Sequence, residues 1–194
     1  LKDKNYDDEK LFAQYGMAGM TREKLYEEIK ITLEETVKSI EKYGGYYIGR
    51  YETGNVSKTG STYNGRPVLQ RMNSNIHTVT WYDAYSKMKY LGASANVKAS
   101  MISGALWDET LQWLIDSEAK TYAEVANSVN WGNHSDSSFT YTTVAGGTST
   151  KRASSSTRVP TGSSEKNKAN NVYDLAGNVR EWTLEADGSY SRRT

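Results

Sequence analysis

From residue 128 to residue 171 the chain is dominated by Asn, Gly, Ser and Thr, and this stretch limits the folds open to it. A polar run of that length is too long for an ordinary connection between elements. It reads either as a functional loop system or as a partly disordered segment, broken by one strand-like piece, Phe139-Thr140-Tyr141-Thr142-Thr143-Val144. Residues Lys151-Arg152 and Lys166 with Lys168 read as solvated basic pairs within it. A fold that accepts so much irregular backbone needs its core elsewhere, and aliphatic residues are few: hydrophobic content is 37% and mean hydropathy is -0.74. The 15 tyrosines and 5 tryptophans supply the apolar area instead, because each aromatic ring buries a large surface. The core is therefore expected to be aromatic. At 194 residues the chain fits one domain, or one domain with an appendage.

Three segments carry helical periodicity. Residues 1–20 are charged and read as irregular. Thr21 then offers an N-cap, Glu23, Glu27 and Glu28 favour the first turns, and Leu25, Ile29, Leu33, Val37 and Ile40 form one stripe, stopped by Gly44-Gly45. That stripe is expected to pack on the core. Thr80 with Asp83 reads as a capping box before Trp81, Ala84, Tyr85, Met88 and Leu91, with Gly92 as the stop. Ser103 precedes a third stripe, Trp107, Leu111, Leu114 and Ile115. Residues 46–53, Tyr-Tyr-Ile-Gly-Arg-Tyr-Glu-Thr, read as an aromatic strand, 54–66 as a loop, and Pro67-Val68-Leu69 as a short extended piece. The expected division is 1–44 as a polar segment with an amphipathic helix, and 45–194 as the main domain.

Charge and composition narrow the function classes. Net charge is +1, so no basic footprint for nucleic acid or anionic membrane is present. No apolar run reaches the length of a membrane span. There is no cysteine, which excludes disulfides, thiolate catalysis and cysteine-ligated metals within these residues. His77 and His134 form no closely spaced ligand pair.

The densest chemistry lies in residues 171–183, Asn-Val-Tyr-Asp-Leu-Ala-Gly-Asn-Val-Arg-Glu-Trp-Thr. Asp174 and Glu181 offer hard carboxylate oxygens, and Gly177 lets the backbone turn tightly. Carbonyls between them can fill the loose six-to-eight-oxygen shell that calcium accepts. Two acids at this spacing are also what two solvated side chains look like, so the spacing by itself leaves both readings open.

This segment resembles the "N-x-Y-D-L-x-G-N-V-x-E-W" hallmark of the formylglycine-generating enzyme (sulfatase-modifying factor) family. Three further segments resemble that family in the same order: Gly45–Thr53, Val79–Tyr85, and Ser103–Glu109 with its Trp107. The resemblance covers roughly residues 45–190. It implies an α+β, C-type-lectin-like domain of the formylglycine-generating-enzyme type, with a small twisted antiparallel sheet, flanking helices and long irregular loops. It also implies a structural calcium (Ca2+) site with side-chain oxygens from Asp174 and Glu181 and backbone carbonyls from Leu175, Gly177 and Val179. A second family calcium site would fall near Asn130.

The departures are as informative. Family enzymes use copper held by two cysteines, and iron-dependent relatives use an H-x-x-x-H-x-E motif; neither ligand set is present, so no copper or iron site is visible. Arg180 stands where the family usually has Trp or Tyr. The chain begins at Leu1 and stops at Thr194, as expected of a fragment lacking the family's C-terminal part. The function expected is a non-catalytic binding or display domain on a bacterial surface or phage particle, extracellular in setting, recognising protein or glycan through its loops. The alternatives are an oxidase fragment whose cysteines lie beyond Thr194, and a plain scaffold domain.

Overall fold

The computed structural model describes residues 8–54, 57–59, 62–64, 71–72, 79–89, 91, 96–187 and 190–193. The chain is α+β and forms two compact units: residues 1–48 with 79–101, and residues 49–78 with 102–194. Residues 79–101, which the sequence reading placed with the later domain, thus cluster with the N-terminal helices.

The first unit holds α1 (Asp8–Gln14), α2 (Arg22–Tyr43) and α3 (Trp81–Met88). Capping chemistry sets the bounds of α2. The Thr21 side chain accepts from Lys24 N, and Gly44 ends the helix in the left-handed region at φ 78°, its N–H bonding the Ile40 carbonyl at 2.7 Å. Thr80 and Asp83 form the expected capping box on α3. Aromatic rings pair with one another in this unit, although its buried side chains also include Met17, Leu25 and Met101. Tyr82 stacks on Tyr15 at 5.3 Å and meets Phe12 edge-on at 5.5 Å, while Trp81 stacks on Tyr85 at 5.0 Å. Phe12, Met17, Leu25, Tyr85 and Met101 are buried. The Tyr85 hydroxyl donates to Glu28 at 3.0 Å, and Lys89 and Lys98 pair with Glu28 and Glu35.

Two expectations are corrected here. Residues 1–20 are not irregular throughout, since α1 buries Phe12. The apolar stripe of α2 is not a core face along its length. Leu25 is its one buried residue, and Leu33 and Val37 are 37% and 54% exposed. Length explains the difference: at 1.5 Å per residue the 22-residue α2 outruns the 7-residue α1 and 8-residue α3.

The second unit holds α4 (Gly104–Asp116), α5 (Tyr122–Ala126) and four two-stranded antiparallel ladders, separate from one another among the described residues: β1 (Ser57–Thr59) with β2 (Thr62–Asn64), β3 (Phe139–Thr142) with β4 (Thr148–Lys151), β5 (Lys168–Ala169) with β6 (Val172–Tyr173), and β7 (Glu181–Asp187) with β8 (Tyr190–Arg193). The helix expected after Ser103 is present, Ser103 caps it, and Trp107, Thr110 and Leu114 are buried on its inner face. Leu184 N bonds the Ile102 carbonyl at 2.9 Å, tying β7 to the start of α4. The Trp131 indole donates to the Glu124 carbonyl at 2.8 Å, fixing α5 and its Thr121–Glu124 capping box to the following 3-10 turn.

Residues 46–53 do not form the expected strand. Their backbone bonds are single ones to separate segments: the Arg50 carbonyl accepts from Tyr173 N of β6 at 2.9 Å, and Glu52 N donates to Thr161 Oγ1 at 3.1 Å. The loop expected over 54–66 contains the β1–β2 hairpin. The extended piece expected at 67–69, the stop at Gly92, and His77 lie outside the described residues.

Candidate functional site: a buried polar knot under the long loops

Residues 170–178 bend the backbone repeatedly, and their side-chain identities follow from that. Asn170, Asn171, Asp174, Gly177 and Asn178 all have positive φ, between 46° and 75°. Asn, Asp and Gly are the residues that enter this region at least cost. Asn170-Asn171 is the two-residue turn joining β5 to β6, where both central residues need positive φ. Gly177 meets a second requirement. A Cβ there would lie 2.5 Å from the Asn133 carbonyl oxygen, because residues 133 and 177 run side by side as a parallel bridge.

That close approach assembles a network. Asn133 N donates to the Ala176 carbonyl at 3.1 Å, and Asn178 N donates to the Asn133 carbonyl at 2.8 Å. Asn178 is the hub. Its Nδ2 donates to Glu52 Oε2 at 2.7 Å and to the Val159 carbonyl at 3.1 Å, and its Oδ1 accepts from Asn133 Nδ2 at 2.8 Å and Val159 N at 2.9 Å. Val179 N donates to Glu52 Oε1 at 3.3 Å. Asn133 Nδ2 also reaches the Thr157 carbonyl at 3.0 Å. One asparagine thus joins the 50s segment, the 131–134 segment and the 157–159 loop.

Asp174 does the same for the neighbouring loop. It is buried, and its Oδ2 accepts from Gly162 N at 2.7 Å and Thr161 Oγ1 at 3.4 Å, while Oδ1 accepts from Asn167 Nδ2 at 3.3 Å. Leu175 is buried beside it, and Val179 is half-buried. Glu181 opens β7. Its Oε2 is buried and has no hydrogen-bond partner.

Three carboxyls, those of Glu52, Asp174 and Glu181, therefore share one interior. Burial lifts all three above the usual carboxylate range. Asp174 adds repulsion to Glu52 and to Glu181, and Glu181 adds to Glu52. The donors from Asn178 and Val179 pull Glu52 back, and those from Gly162, Asn167 and Thr161 pull Asp174 back. The three feel one another without converging on one point: among the described residues no group of three or more His, Cys, Asp or Glu side chains is gathered to hold a metal. Asn130, near which a second calcium site was expected, is exposed at the end of a 3-10 turn.

Glu52 and Asn133 were missing from the sequence reading. Glu52 had a signal, as the sole acid between Arg50 and Asp83, set in an aromatic run. Asn133 had none, because its role is set by a partner 45 residues away.

Other polar clusters in this unit close turns. Ser128 Oγ lies 2.8 Å from His134 Nε2, and Gly132 leaves the room that ring needs. Lys151, expected to be solvated, is buried. Its ammonium donates to the carbonyls of His134 and Ser137 and to Ser137 Oγ, locking the end of β4 to that turn.

Two loops of this unit are mostly exposed. Residues 143–147, between β3 and β4, present Val144 at 70% exposure, and 152–158 are mostly exposed. No helix among the described residues is long and apolar enough to cross a membrane. No family model, no curated protein and no solved structure matches this chain.

Proposed function

We propose that the chain is a non-catalytic binding or display domain with a C-type-lectin-like fold of the formylglycine-generating-enzyme type, presenting protein- or glycan-binding loops on a bacterial surface or phage particle. One observation carries the reading: Asp174 and Asn178, within residues 171–183, are spent on holding loops. Asn178 and Asp174 direct their side chains to Val159, Gly162, Asn133 and Asn167. A knot of this kind leaves residues 143–147 and 152–156 mostly exposed and outside its hydrogen bonds, and their Gly and Ser content suits adaptable recognition. Two segments of the resemblance, Gly45–Thr53 and Asn171–Thr183, meet: Arg50 and Glu52 bond to Tyr173 and Asn178.

A structural calcium ion is the second part of the proposal. Glu181 Oε2 is a buried carboxylate oxygen with no donor, and Asp174 Oδ1 has a single donor. Both keep lone pairs that suit a hard cation. The carbonyls of Leu175, Gly177 and Val179 would complete its shell. A bound cation would also relieve the repulsion among the three acids.

The test is binding of the folded chain to glycan and protein arrays. The reading expects saturable binding to a restricted set of ligands. A folded chain that binds nothing on either array would contradict it.

A further inference from the structure

Beside the knot, three cations gather on two stacked tyrosines. Tyr51 and Tyr173 stack at 5.3 Å with 26° between their planes. The Arg50 guanidinium lies 5.6 Å from the Tyr51 ring and 5.9 Å from the Tyr173 ring. Arg71 lies 5.7 Å and the Lys168 ammonium 5.6 Å from Tyr173. Glu165 is the single acid facing them. It accepts from the Tyr173 hydroxyl at 2.6 Å, Lys168 at 2.7 Å and Arg71 at 3.3 Å. Three positive charges against one negative charge leave the cluster net positive.

The guanidiniums are held in place and only partly used. Arg71 donates Nε to the Gly162 carbonyl at 2.8 Å and one NH2 to Glu165, with its side chain 51% exposed. Arg50 makes one long bond, 3.4 Å, to Asn171 Oδ1 and is exposed. An arginine has five N–H donors in a fixed fork, so each keeps donors directed to solvent. Gly162 is the floor beneath them. A Cβ there would lie 2.7 Å from the Tyr51 ring and 3.1 Å from Arg71 Cγ. Since Gly162 N is bonded to Asp174 and its carbonyl accepts from Arg71 Nε, the buried knot fixes where Arg71 sits.

The surrounding sequence points the same way. Residues 137–173 contain five Lys and Arg and one acid, Glu165, and residues 53–82 contain no acid at all. The remaining acids of this unit concentrate in α4, α5 and the motif. Overall net charge of +1 hides this separation.

We infer that the Arg50–Arg71–Lys168 cluster on the Tyr51–Tyr173 stack is a binding site for an acidic glycan, reading a sulfate or carboxylate group on the sugar. A planar fork matches such oxyanions with paired donors. The cluster is too small for nucleic acid, which draws its affinity from many phosphates along a basic stripe. The inference deepens the proposed binding role and rests on it.

The experiment is titration of the intact chain with dextran sulfate, with unsulfated dextran as the control polymer. Dextran sulfate should bind, with affinity falling as salt rises, and dextran should not. Arg50→Gln with Arg71→Gln should weaken binding about a hundredfold, roughly tenfold for each charged donor lost. Arg50→Lys with Arg71→Lys keeps charge and ring contact but loses the fork; it should weaken binding about fivefold to tenfold, and serves if the glutamine pair fails to fold. Lys24→Gln with Lys38→Gln, in the helical unit, should change nothing. No binding of dextran sulfate, full affinity in both arginine pairs, an equal loss in the Lys24/Lys38 pair, or tighter binding of a single-stranded oligonucleotide would each overturn the inference. Array binding confined to uncharged ligands would overturn it while leaving the binding role intact.

Discussion

Asn178→Ala removes the hub of the knot, and its effect can be worked from the structure. The wild-type side chain makes four hydrogen bonds, to Glu52, to the Val159 N–H and carbonyl, and from Asn133. Asn133 keeps its bond to the Thr157 carbonyl, and Glu52 keeps Val179 N on its other oxygen. Val159 is buried and loses both partners. Leaving two buried backbone groups unpaired costs about 2–5 kcal/mol. Alanine at φ 64° adds about 1–2 kcal/mol of backbone strain. The sum, roughly 3–7 kcal/mol, is comparable to the whole stability of many domains. Asn178→Asp is the sharper companion, since it keeps the acceptor but turns a carboxylate toward Glu52 Oε2. Its stability should recover in acid, where the pair shares a proton. The assay is denaturant unfolding read with amide hydrogen exchange. Protection should fall at Val159, Val179 and Leu184 and persist at Ala84 in α3. A loss under about 1 kcal/mol for Asn178→Ala, or uniform loss of protection in both units, would refute the reasoning.

Other consequences follow from the same residues. Gly177→Ala sets a Cβ 2.5 Å from the Asn133 carbonyl oxygen at φ 75°, and should destabilise by about 2–5 kcal/mol in thermal or denaturant unfolding. The pKa values of Glu52, Asp174 and Glu181 lie above their unfolded values, so between the two the folded chain binds more protons than the unfolded chain. Stability is then fullest at and below the ordinary carboxylate range and falls as pH rises through the folded values, by about 1.4 kcal/mol for each pKa unit of displacement. Chelator-treated protein should therefore melt higher at about pH 5 than at about pH 8. Excess calcium should raise the melting temperature most at the higher pH. Glu181→Gln removes a buried charge and one cation ligand, so it should stabilise the chelated protein and abolish the calcium response. A calcium response that survives in Glu181→Gln would remove this site from the account.

The parts of the fold legible in the sequence are those set by local chemistry. Thr21 and Thr80 cap the helices as expected, and the helix expected after Ser103 starts there, because an N-cap bonds within three residues of itself. The aromatic core expected from composition is present only in part: Phe12, Tyr85, Trp107, Trp131, Phe139 and Tyr173 are buried among the described residues, beside a larger set of aliphatic and methionine side chains. Elements fixed by distant partners were not legible. Residues 46–53 have the residues of a strand, yet their donors and acceptors are taken by Thr161 and Tyr173. The stripe of α2 is genuine, but how far it is covered depends on the lengths of α1 and α3. In the motif, Gly177 was read as allowing a tight turn, and it does. It also admits the Asn133 backbone, which no spacing within 171–183 encodes. Asp174 and Glu181 were read as one pair; Asp174 is engaged with the 161–167 loop, and Glu181 alone has an unpaired oxygen.

The proposed role requires the knot to hold a scaffold whose outer loops are free to vary. Replacing Thr143, Val144, Ala145 and Gly147 with unrelated Ser and Tyr residues tests it, with Gly146 kept because its φ of 86° favours glycine, since the loop is mostly exposed. The melting temperature should move by no more than the effect of about 0.5 kcal/mol typical of surface changes, while the set of ligands bound on the arrays changes. A melting temperature that collapses, or a set of ligands that stays the same, would contradict the claim.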